Sequence, residues 1–325
     1  MKGSSRAAWL LDGRGSLILL AGIVVILPFF LGTNFHLRVM VLVWIYSLTA
    51  IGLNLLIGYA GQVSLGHGGF MALGAYSAAL GPQQLGLPPV LSLLGGILLS
   101  ALLAFVIGRP ILRLKGHYLA VATLGFGILV FMALNNKIDL TGGPDGTQVE
   151  RLKLLGWTVR GNETWYWITG GMLVFGAWLA LNLVRSPTGL ALRAIHDSEI
   201  ASSAIGVDVA RYKLTVFVIS AAFAATAGGM LALFNGHVTP TLSDFLVSVE
   251  LVTMVVLGGM GSVFGSVVGA ALLVVLPQVL TPVQEYAHAF LGLIMILTMI
   301  FLRSGIVPTL LKILEGEGHG RDSCD

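Results

Sequence analysis

Long apolar blocks recur along the whole chain and restrict its fold more than any other feature of the sequence. Apolar residues make up 56% of the 325 residues and charged residues only 10%, whereas a soluble domain carries roughly 25% charged residues. A bilayer-spanning helix needs about 20 mostly apolar residues, and lipid admits only helices and closed barrels. The blocks are continuous and not alternating, which favours helices. The predicted fold class is therefore all-α, a polytopic helical bundle integral to the membrane.

About ten of these blocks are long enough to be membrane spans. They lie at 17–33, 39–57, 66–80, 89–107, 117–135, 165–184, 214–234, 244–259, 266–281 and 287–303. On this division, residues 1–16 precede a transmembrane region at 17–303, and residues 304–325 follow it. Two of the connections between the blocks are long, at 136–164 and 185–213.

The distribution of Lys and Arg predicts the orientation, because cytoplasmic loops carry an excess of these residues. If the N-terminus is cytoplasmic, thirteen of the 18 Lys and Arg residues lie inside: Lys2, Arg6, Arg14, Arg109, Arg113, Lys115, Arg185, Arg193, Arg211, Lys213, Arg303, Lys312 and Arg321. The five that lie outside are Arg38, Lys137, Arg151, Lys153 and Arg160. We therefore expect both termini in the cytoplasm, with an outer loop at 136–164 and a cytoplasmic loop at 185–213.

Several classes of function are excluded by patterns that the sequence lacks. It contains no glycine-rich phosphate loop followed by Lys and Ser or Thr, so we expect neither an ATPase site nor catalytic residues in this chain. The histidines lack the spacing of metal ligands, and the single cysteine, Cys324, excludes an internal disulfide. The basic residues lie between the apolar blocks and form no nucleic-acid-binding surface. We expect no cofactor, no metal and no nucleic-acid partner.

The cytoplasmic loop at 185–213 contains an amphipathic pattern. Ser186 followed by Pro187 is typical of a helix start. Apolar residues then recur at helical spacing, at Ala191, Ala194, Ile195, Ala201 and Ile205. Gly206 is a suitable helix end, and Asp208 is a suitable cap for the next helix. We predict one short amphipathic helix over 186–206, connected directly to the spans on either side.

The polar face of this helix has two interpretations. It lies either on the lipid surface or against a cytosolic protein. Its mixed charges favour a protein partner, because anionic lipid selects an excess of Lys and Arg. The candidate docking residues are Arg193, His196, Asp197, Glu199, Gly206 and Asp208.

A glycine-rich segment runs from Gly58 to Phe70. Each glycine weakens a helix by about 1 kcal/mol relative to alanine and allows close approach of backbones. The segment is either a tight turn between two packed helices or a broken helix whose backbone groups line a solute pathway. The pathway residues would be Gly61, Gln62, Ser64 and His67. A packing role explains the histidine as well.

Two further features complete the candidate pathway. Glu250 lies in an apolar block, where a charge is expensive unless it faces water or protein; a position close to the outer surface would also hydrate it. The stretch from Gly258 through Gly261 to Val263 resembles the one from Gly58 to Val63. This similarity indicates either an internal repeat, as many transporters have, or two similar tight turns.

Three stretches resemble the permease subunits of ABC importers for branched-chain amino acids, specifically the longer of two paired permeases. They lie at 54–70, 189–206 and 257–266. The middle stretch is similar to the short motif by which such permeases dock on their ATPases. Its common form has Glu-Ala-Ala with a glycine six residues after the Glu. Here Glu199 is followed by Ile200, and Gly206 comes seven residues later, so the register of docking departs from the family pattern.

The resemblance implies a set of partners and a location. These partners are a second homologous permease, two cytosolic ATPase subunits and a periplasmic or extracellular solute-binding protein, in the bacterial inner membrane. ATP would act on the ATPase subunits only. The six candidate docking residues would then couple this chain to the ATPases, and the outer loop would help to receive the binding protein.

The predicted function is therefore inward transport of branched-chain or other hydrophobic amino acids, driven by ATP hydrolysis on separate subunits. Within the same family, a permease for urea or short-chain amides is an alternative. An ion-coupled secondary transporter is another, although only Glu250 and His67 are candidates for its ion or proton site. A receptor or membrane scaffold would not need about ten spans with glycine-rich breaks.

Overall fold

The computed structural model describes residues 13–30, 32–114, 116–154, 157–279, 292 and 305–309. The helices are α1 Gly13–Ile26, α2 Asn34–Ala60, α3 His67–Leu85, α4 Pro89–Ile111, α5 His117–Asn136, α6 Ile138–Thr141, α7 Asn162–Arg185, α8 Pro187–Asp197, α9 Glu199–Ala204, α10 Val209–Asn235, α11 Phe245–Gly258 and α12 Val263–Val279. The strands are β1 Thr147–Gln148, β2 Lys153–Leu154, β3 Trp157–Thr158 and β4 His237–Val238. Short 3-10 turns lie at Leu27–Phe29, Gly143–Asp145 and Pro240–Ser243.

The all-helical prediction is confirmed for the described residues. A helix coincides with each of the first nine predicted spans. Five helices, α2, α4, α5, α7 and α10, are long and apolar enough to cross a membrane. The predicted span at 287–303 and the predicted tail at 304–325 lie outside the described residues, apart from 292 and 305–309.

Helices α2 and α10 form the centre of the bundle and are largely buried. Helix α10 packs against α2, α3 and α4, and α2 also packs against α7 and α12. Small residues allow the closest approach: Gly74 of α3 faces the Ala225 carbonyl, and Gly228 of α10 faces the Met71 carbonyl. The small-residue run at 221–229 therefore packs closely against α3.

Helices α4, α5 and α7 surround this centre and expose large apolar side chains. Leu98 on α4, Leu129 on α5 and Phe175 on α7 are examples. An exposed apolar surface of this extent is typical of contact with lipid or with another subunit. The aromatic residues at the start of α7 behave differently from one another. Trp167 is exposed, whereas Tyr166 is buried and donates a hydrogen bond to the Val24 carbonyl at 2.9 Å.

The predicted outer loop is folded. Strands β2 and β3 form a hairpin, and β1 pairs antiparallel with β4. This second pair places Thr147 opposite Val238 and Gln148 opposite His237. The outer loop is therefore hydrogen-bonded to the connection that follows α10.

The connection from α10 to α11, residues 236–244, is called the descending segment below. It begins at Gly236, which has a φ of 71°, and continues through β4 into the turn Pro240–Ser243. This turn packs against α3 and α5, where the Ser243 hydroxyl donates to the Gly127 carbonyl at 2.9 Å. Helix α11 therefore begins between other helices and has only 14 residues.

Candidate functional site

The connection at 185–213 folds as two helices, so the prediction of one helix over 186–206 is wrong. Helix α8 ends at Asp197, and Ser198 takes an extended conformation with φ −160° and ψ 111°. The Ser198 hydroxyl accepts a hydrogen bond from the Ala201 amide at 3.2 Å and so caps α9. Serine competes with helix continuation in this way, which explains the break.

The break changes which apolar residues are buried. Leu192 and Ile195 are buried, but Ile205, predicted on the buried face, is 78% exposed. Ile200 is equally exposed, and Leu190 is exposed as well. We call Leu190, Ile200 and Ile205 the docking patch, because large exposed apolar side chains on two short helices indicate an interaction surface.

An ion pair holds α9 against α10. The Lys213 ammonium contacts the Glu199 carboxylate, and the lysine is only 5% exposed. The candidate Glu199 is therefore tied to the central helix of the bundle. Asp208 caps α10 as predicted, since its carboxylate accepts from the Arg211 amide at 3.1 Å.

The remaining candidates in this connection lie at its turns. Gly206 follows α9 with a φ of 90°, a left-handed conformation that favours glycine. Asp197 is exposed at the end of α8.

Arg193 and His196 connect α8 to the end of α2. The Arg193 guanidinium lies 5.5 Å from the centre of the Tyr59 ring, within the range of a cation–π contact. The His196 ring packs on Gly61, which ends α2 with a φ of 65°. A side chain at Gly61 would collide with the histidine ring. Two of the predicted docking residues therefore contact the first part of the predicted pathway.

Residues 61–66 and 259–262 are called the first and second glycine segments. Asn54 joins α2 to the second segment: its amide donates to the Ser262 carbonyl and the Ser266 hydroxyl, both at 2.8 Å, and accepts from the Gly261 amide at 2.9 Å. The Tyr59 hydroxyl donates to the Gly261 carbonyl at 2.5 Å. Tyr59 thus contacts both α8 and the second glycine segment.

Glycine is needed at these contacts for steric reasons. A Cβ at Gly58 would collide with the Gly261 amide, and a Cβ at Gly258 would collide with the Gly265 carbonyl. Gly261 itself has a φ of 77°. The stretches 58–63 and 258–263, which resemble each other in sequence, therefore also meet in space, through Gly58 and Gly261.

The first glycine segment leads from the end of α2 to the buried start of α3. Helices α2 and α3 each pack against α10, so the segment is not a tight turn between two helices packed on one another. His67 is fully buried, with Nδ1 2.9 Å from the Ser64 hydroxyl and Nε2 2.6 Å from the Ser220 hydroxyl. Both ring nitrogens are used, which fits the packing interpretation of His67.

Gln62 differs from its neighbours because its amide is buried and unpaired. The side chain is 2% exposed, and neither amide atom has a hydrogen-bond partner in the described part of the chain. Leaving such an atom unpaired costs about 1–3 kcal/mol. The two unpaired amide atoms are consistent with the prediction that Gln62 contributes to the pathway, which stays a prediction.

Glu250 lies six residues after Asp244, on the half-buried face of α11, within electrostatic range of Tyr46. Helix α11 begins beside Gly127, in the middle of α5. Both interpretations of Glu250, a pathway residue and a residue hydrated near the outer surface, stay predictions.

Three residues of this region, Tyr59, Lys213 and Asp244, are not among the site residues predicted from the sequence. Asp244 is predicted only as the first residue of the span at 244–259. Pro240, in the connection between the predicted spans 214–234 and 244–259, is the sequence signal for an irregular segment ahead of Asp244. Among the described residues, His, Cys, Asp and Glu side chains form no group of three that could hold a metal.

Comparison with known proteins assigns the family. The model of the branched-chain amino acid transport system / permease component family matches residues 35–299. The chain belongs to this family. The high-affinity branched-chain amino acid transport system permease protein LivM of Salmonella typhimurium is 37% identical over 308 residues, covering 86% of this chain and 72% of the relative. LivM of Escherichia coli strain K12 is 36% identical over 309 residues, covering 87% and 73%.

A second kind of permease is also similar to this chain. LivH of Salmonella typhimurium is 27% identical over 288 residues, covering 81% of this chain and 91% of the relative. No solved structure matches the chain significantly. The resemblance inferred from the sequence is confirmed. The chain is similar to two kinds of permease, LivM and LivH.

Proposed function

We propose that this chain is the membrane-embedded permease subunit of an ABC importer that moves branched-chain amino acids inward. The observation that carries the proposal is the 37% identity to LivM over most of both chains. The partners proposed are a LivH-like second permease, two cytosolic ATPases and a solute-binding protein. ATP acts on the ATPases, and this chain binds no cofactor.

The finer topology is part of the same proposal. It has about ten transmembrane helices in residues 17–303, cytoplasmic segments at 1–16 and 304–325, and a location in the bacterial inner membrane. The excess of Lys and Arg in the predicted cytoplasmic segments supports this orientation.

The proposed coupling mechanism uses the contacts at α8 and α9. Closure of the ATPases displaces the two short helices. The Glu199–Lys213 ion pair transmits this displacement to α10, and Arg193 and His196 transmit it to Tyr59 and Gly61. A packed bundle responds to such a push by changing between discrete arrangements.

Reconstitution tests the function. The chain is purified with its neighbouring permease and ATPases, and leucine uptake into liposomes is measured with ATP and the binding protein. We expect ATP-dependent uptake that excess isoleucine or valine suppresses and excess urea does not. Suppression by urea alone would favour the amide-permease alternative, and uptake by this chain alone along an ion gradient would favour a secondary transporter.

Ile200→Asp is expected to prevent association with the ATPases without affecting membrane insertion. Ile200 is 78% exposed, so the substitution buries no charge in this chain but introduces one into the docking patch. Co-purification of the ATPases measures the effect, and we expect at least a tenfold loss. Ile138→Asp, at an exposed position of α6, is the matched control; equal ATPase yield in both variants would remove the docking patch from the interface.

Tyr59→Phe is expected to lower the number of solute molecules moved per ATP hydrolysed by about threefold to tenfold. It removes the hydroxyl, which donates to the Gly261 carbonyl and also has a hydrogen bond with the Arg193 side chain. Each of these bonds is worth roughly 1 kcal/mol of net stability, and the ring itself stays in place near Arg193. Tyr76→Phe is the control, because the Tyr76 hydroxyl is buried without a partner among the described residues. The same transport ratio in both variants would exclude Tyr59 as a coupling contact.

A further inference from the structure

Asp244 carries an exposed carboxylate near the level of the middle of α5, a helix long and apolar enough to cross a membrane. Helix α5 has 20 residues and is therefore about 30 Å long, close to the thickness of the hydrocarbon core. Gly127 lies near its midpoint, about 15 Å from His117, and its carbonyl accepts the hydrogen bond from Ser243. Asp244 is the next residue, so it lies near the same level.

A second contact fixes the same level independently. The Gly68 amide, at the start of α3, donates to the Ser248 hydroxyl of α11 at 3.3 Å. Next to Gly68, His67 bonds to Ser220, which is eleven residues along α10 from Val209, or about 16 Å. The start of α11 therefore lies well inside the bundle and away from either end of α10.

The surroundings of this carboxylate are apolar and open. One oxygen accepts from the Phe245 amide at 2.7 Å, and within the described residues no Lys, Arg or His forms an ion pair with Asp244. The next two side chains, Phe245 and Leu246, are 44% and 61% exposed. A carboxylate with unused acceptor capacity thus lies beside two accessible apolar groups.

Contact between this surface and lipid would be unfavourable in free energy. A carboxylate at the centre of a bilayer costs several kcal/mol, and such residues face water or protein instead. The exposed face of α4, by contrast, presents Leu94, Leu98 and Leu102 and is suited to lipid. The two surfaces therefore have different surroundings, and the one at Asp244 faces an aqueous or protein-lined space.

We propose that Asp244 binds the ammonium group of the solute in the translocation pathway, while Phe245 and Leu246 contact its aliphatic side chain. A charge-assisted hydrogen bond between ammonium and carboxylate suits a zwitterionic amino acid, and the apolar neighbours suit a branched hydrocarbon chain. The inference rests on the proposed function and adds the group that recognises the solute within the membrane.

Cysteine labelling tests the aqueous surroundings without requiring transport. The chain has a single cysteine, Cys324, so Cys324→Ser provides a cysteine-free background for Asp244→Cys and, as a matched control, Leu98→Cys. In the reconstituted complex we expect a membrane-impermeant, positively charged thiol reagent to modify position 244 at least tenfold faster than position 98. Equal rates would mean that Asp244 does not face water, and the inference would fail.

Asp244→Asn tests recognition of the ammonium group. Asparagine keeps an oxygen for the Phe245 amide, so α11 stays capped while the charge is lost. We expect leucine uptake to fall at least tenfold, ATP hydrolysis stimulated by the binding protein to persist, and Asp244→Glu to restore part of the uptake. Glu163→Gln, at an exposed acid on the first turn of α7, is the control.

The outcomes separate the two proposals. If the wild type takes up leucine and Asp244→Asn takes it up equally well, the ammonium site is rejected and the proposed function stands. No ATP-dependent amino acid uptake by the wild-type complex would reject the proposed function, whatever the labelling shows.

Discussion

Glu199→Lys is expected to abolish ATP-driven uptake and to destabilise the junction of α9 with α10. The substitution places a second positive charge against Lys213, which is 5% exposed and has Glu199 as its ion-pair partner. Lys213 is buried but the Glu199 side chain is 39% exposed, so water screens part of the repulsion and the cost lies below the roughly 3–5 kcal/mol of a fully buried pair. ATPase co-purification and uptake measure the effect, and we expect both to fall by more than tenfold.

The charge-swapped double variant separates the ion pair from a general effect of the mutation. Glu199→Lys combined with Lys213→Glu restores opposite charges at the same two positions, so we expect a substantial part of the ATPase association to return. Glu163→Lys, at an exposed position of α7, should leave association unchanged. If the double variant is as defective as the single one, Glu199 acts by contacting the ATPase directly and the ion pair is not the connection.

Gly228→Ala is expected to be among the most destabilising single methyl additions in the bundle core. Its Cβ would collide with the Met71 carbonyl, and backbone atoms cannot move aside as a flexible side chain can. Overpacking typically costs 1–3 kcal/mol, and a backbone collision between two central helices lies at about 3 kcal/mol or above. We expect a lower unfolding temperature in detergent and a smaller yield of folded protein.

Gly95→Ala is the matched control, since no atom lies within 4 Å of the added methyl on α4. Alanine favours the helix over glycine by roughly 1 kcal/mol, so the control should be unchanged or slightly stabilised. Gly74→Ala, which collides with the Ala225 carbonyl across the same helix pair, should resemble Gly228→Ala. Equal unfolding temperatures for all three variants would show that α3 and α10 adjust without cost.

The positions of the helices could be predicted because length and hydrophobicity alone determine which segments can lie in lipid. Residues 39–57 and 214–234, for example, fall within α2 and α10. Local signals were also sufficient at Asp208, which caps α10 as predicted.

What could not be predicted depends on contacts between distant residues. The break at Ser198 results from competition between capping α9 and continuing α8, and the local sequence is compatible with both. The burial of Lys213 follows from its pairing with Glu199, fourteen residues earlier. The depth of Asp244 follows from the hydrogen bond between Ser243 and Gly127, 116 residues apart. Hydrophobicity carries no information on such pairings, so the sequence predicts Asp244 only as the edge of a span.

The pairing of β1 with β4 has a consequence for exchanging parts between relatives. Gln148 and His237 are partners across this ladder, and the chain continues from His237 through the descending segment to Asp244. A chimaera that imports a foreign loop in place of 136–164 without the matching strand β4 would lose the β1–β4 anchor of that segment. The transplantable unit is therefore discontinuous in sequence, and exchanges of this loop should carry both pieces together.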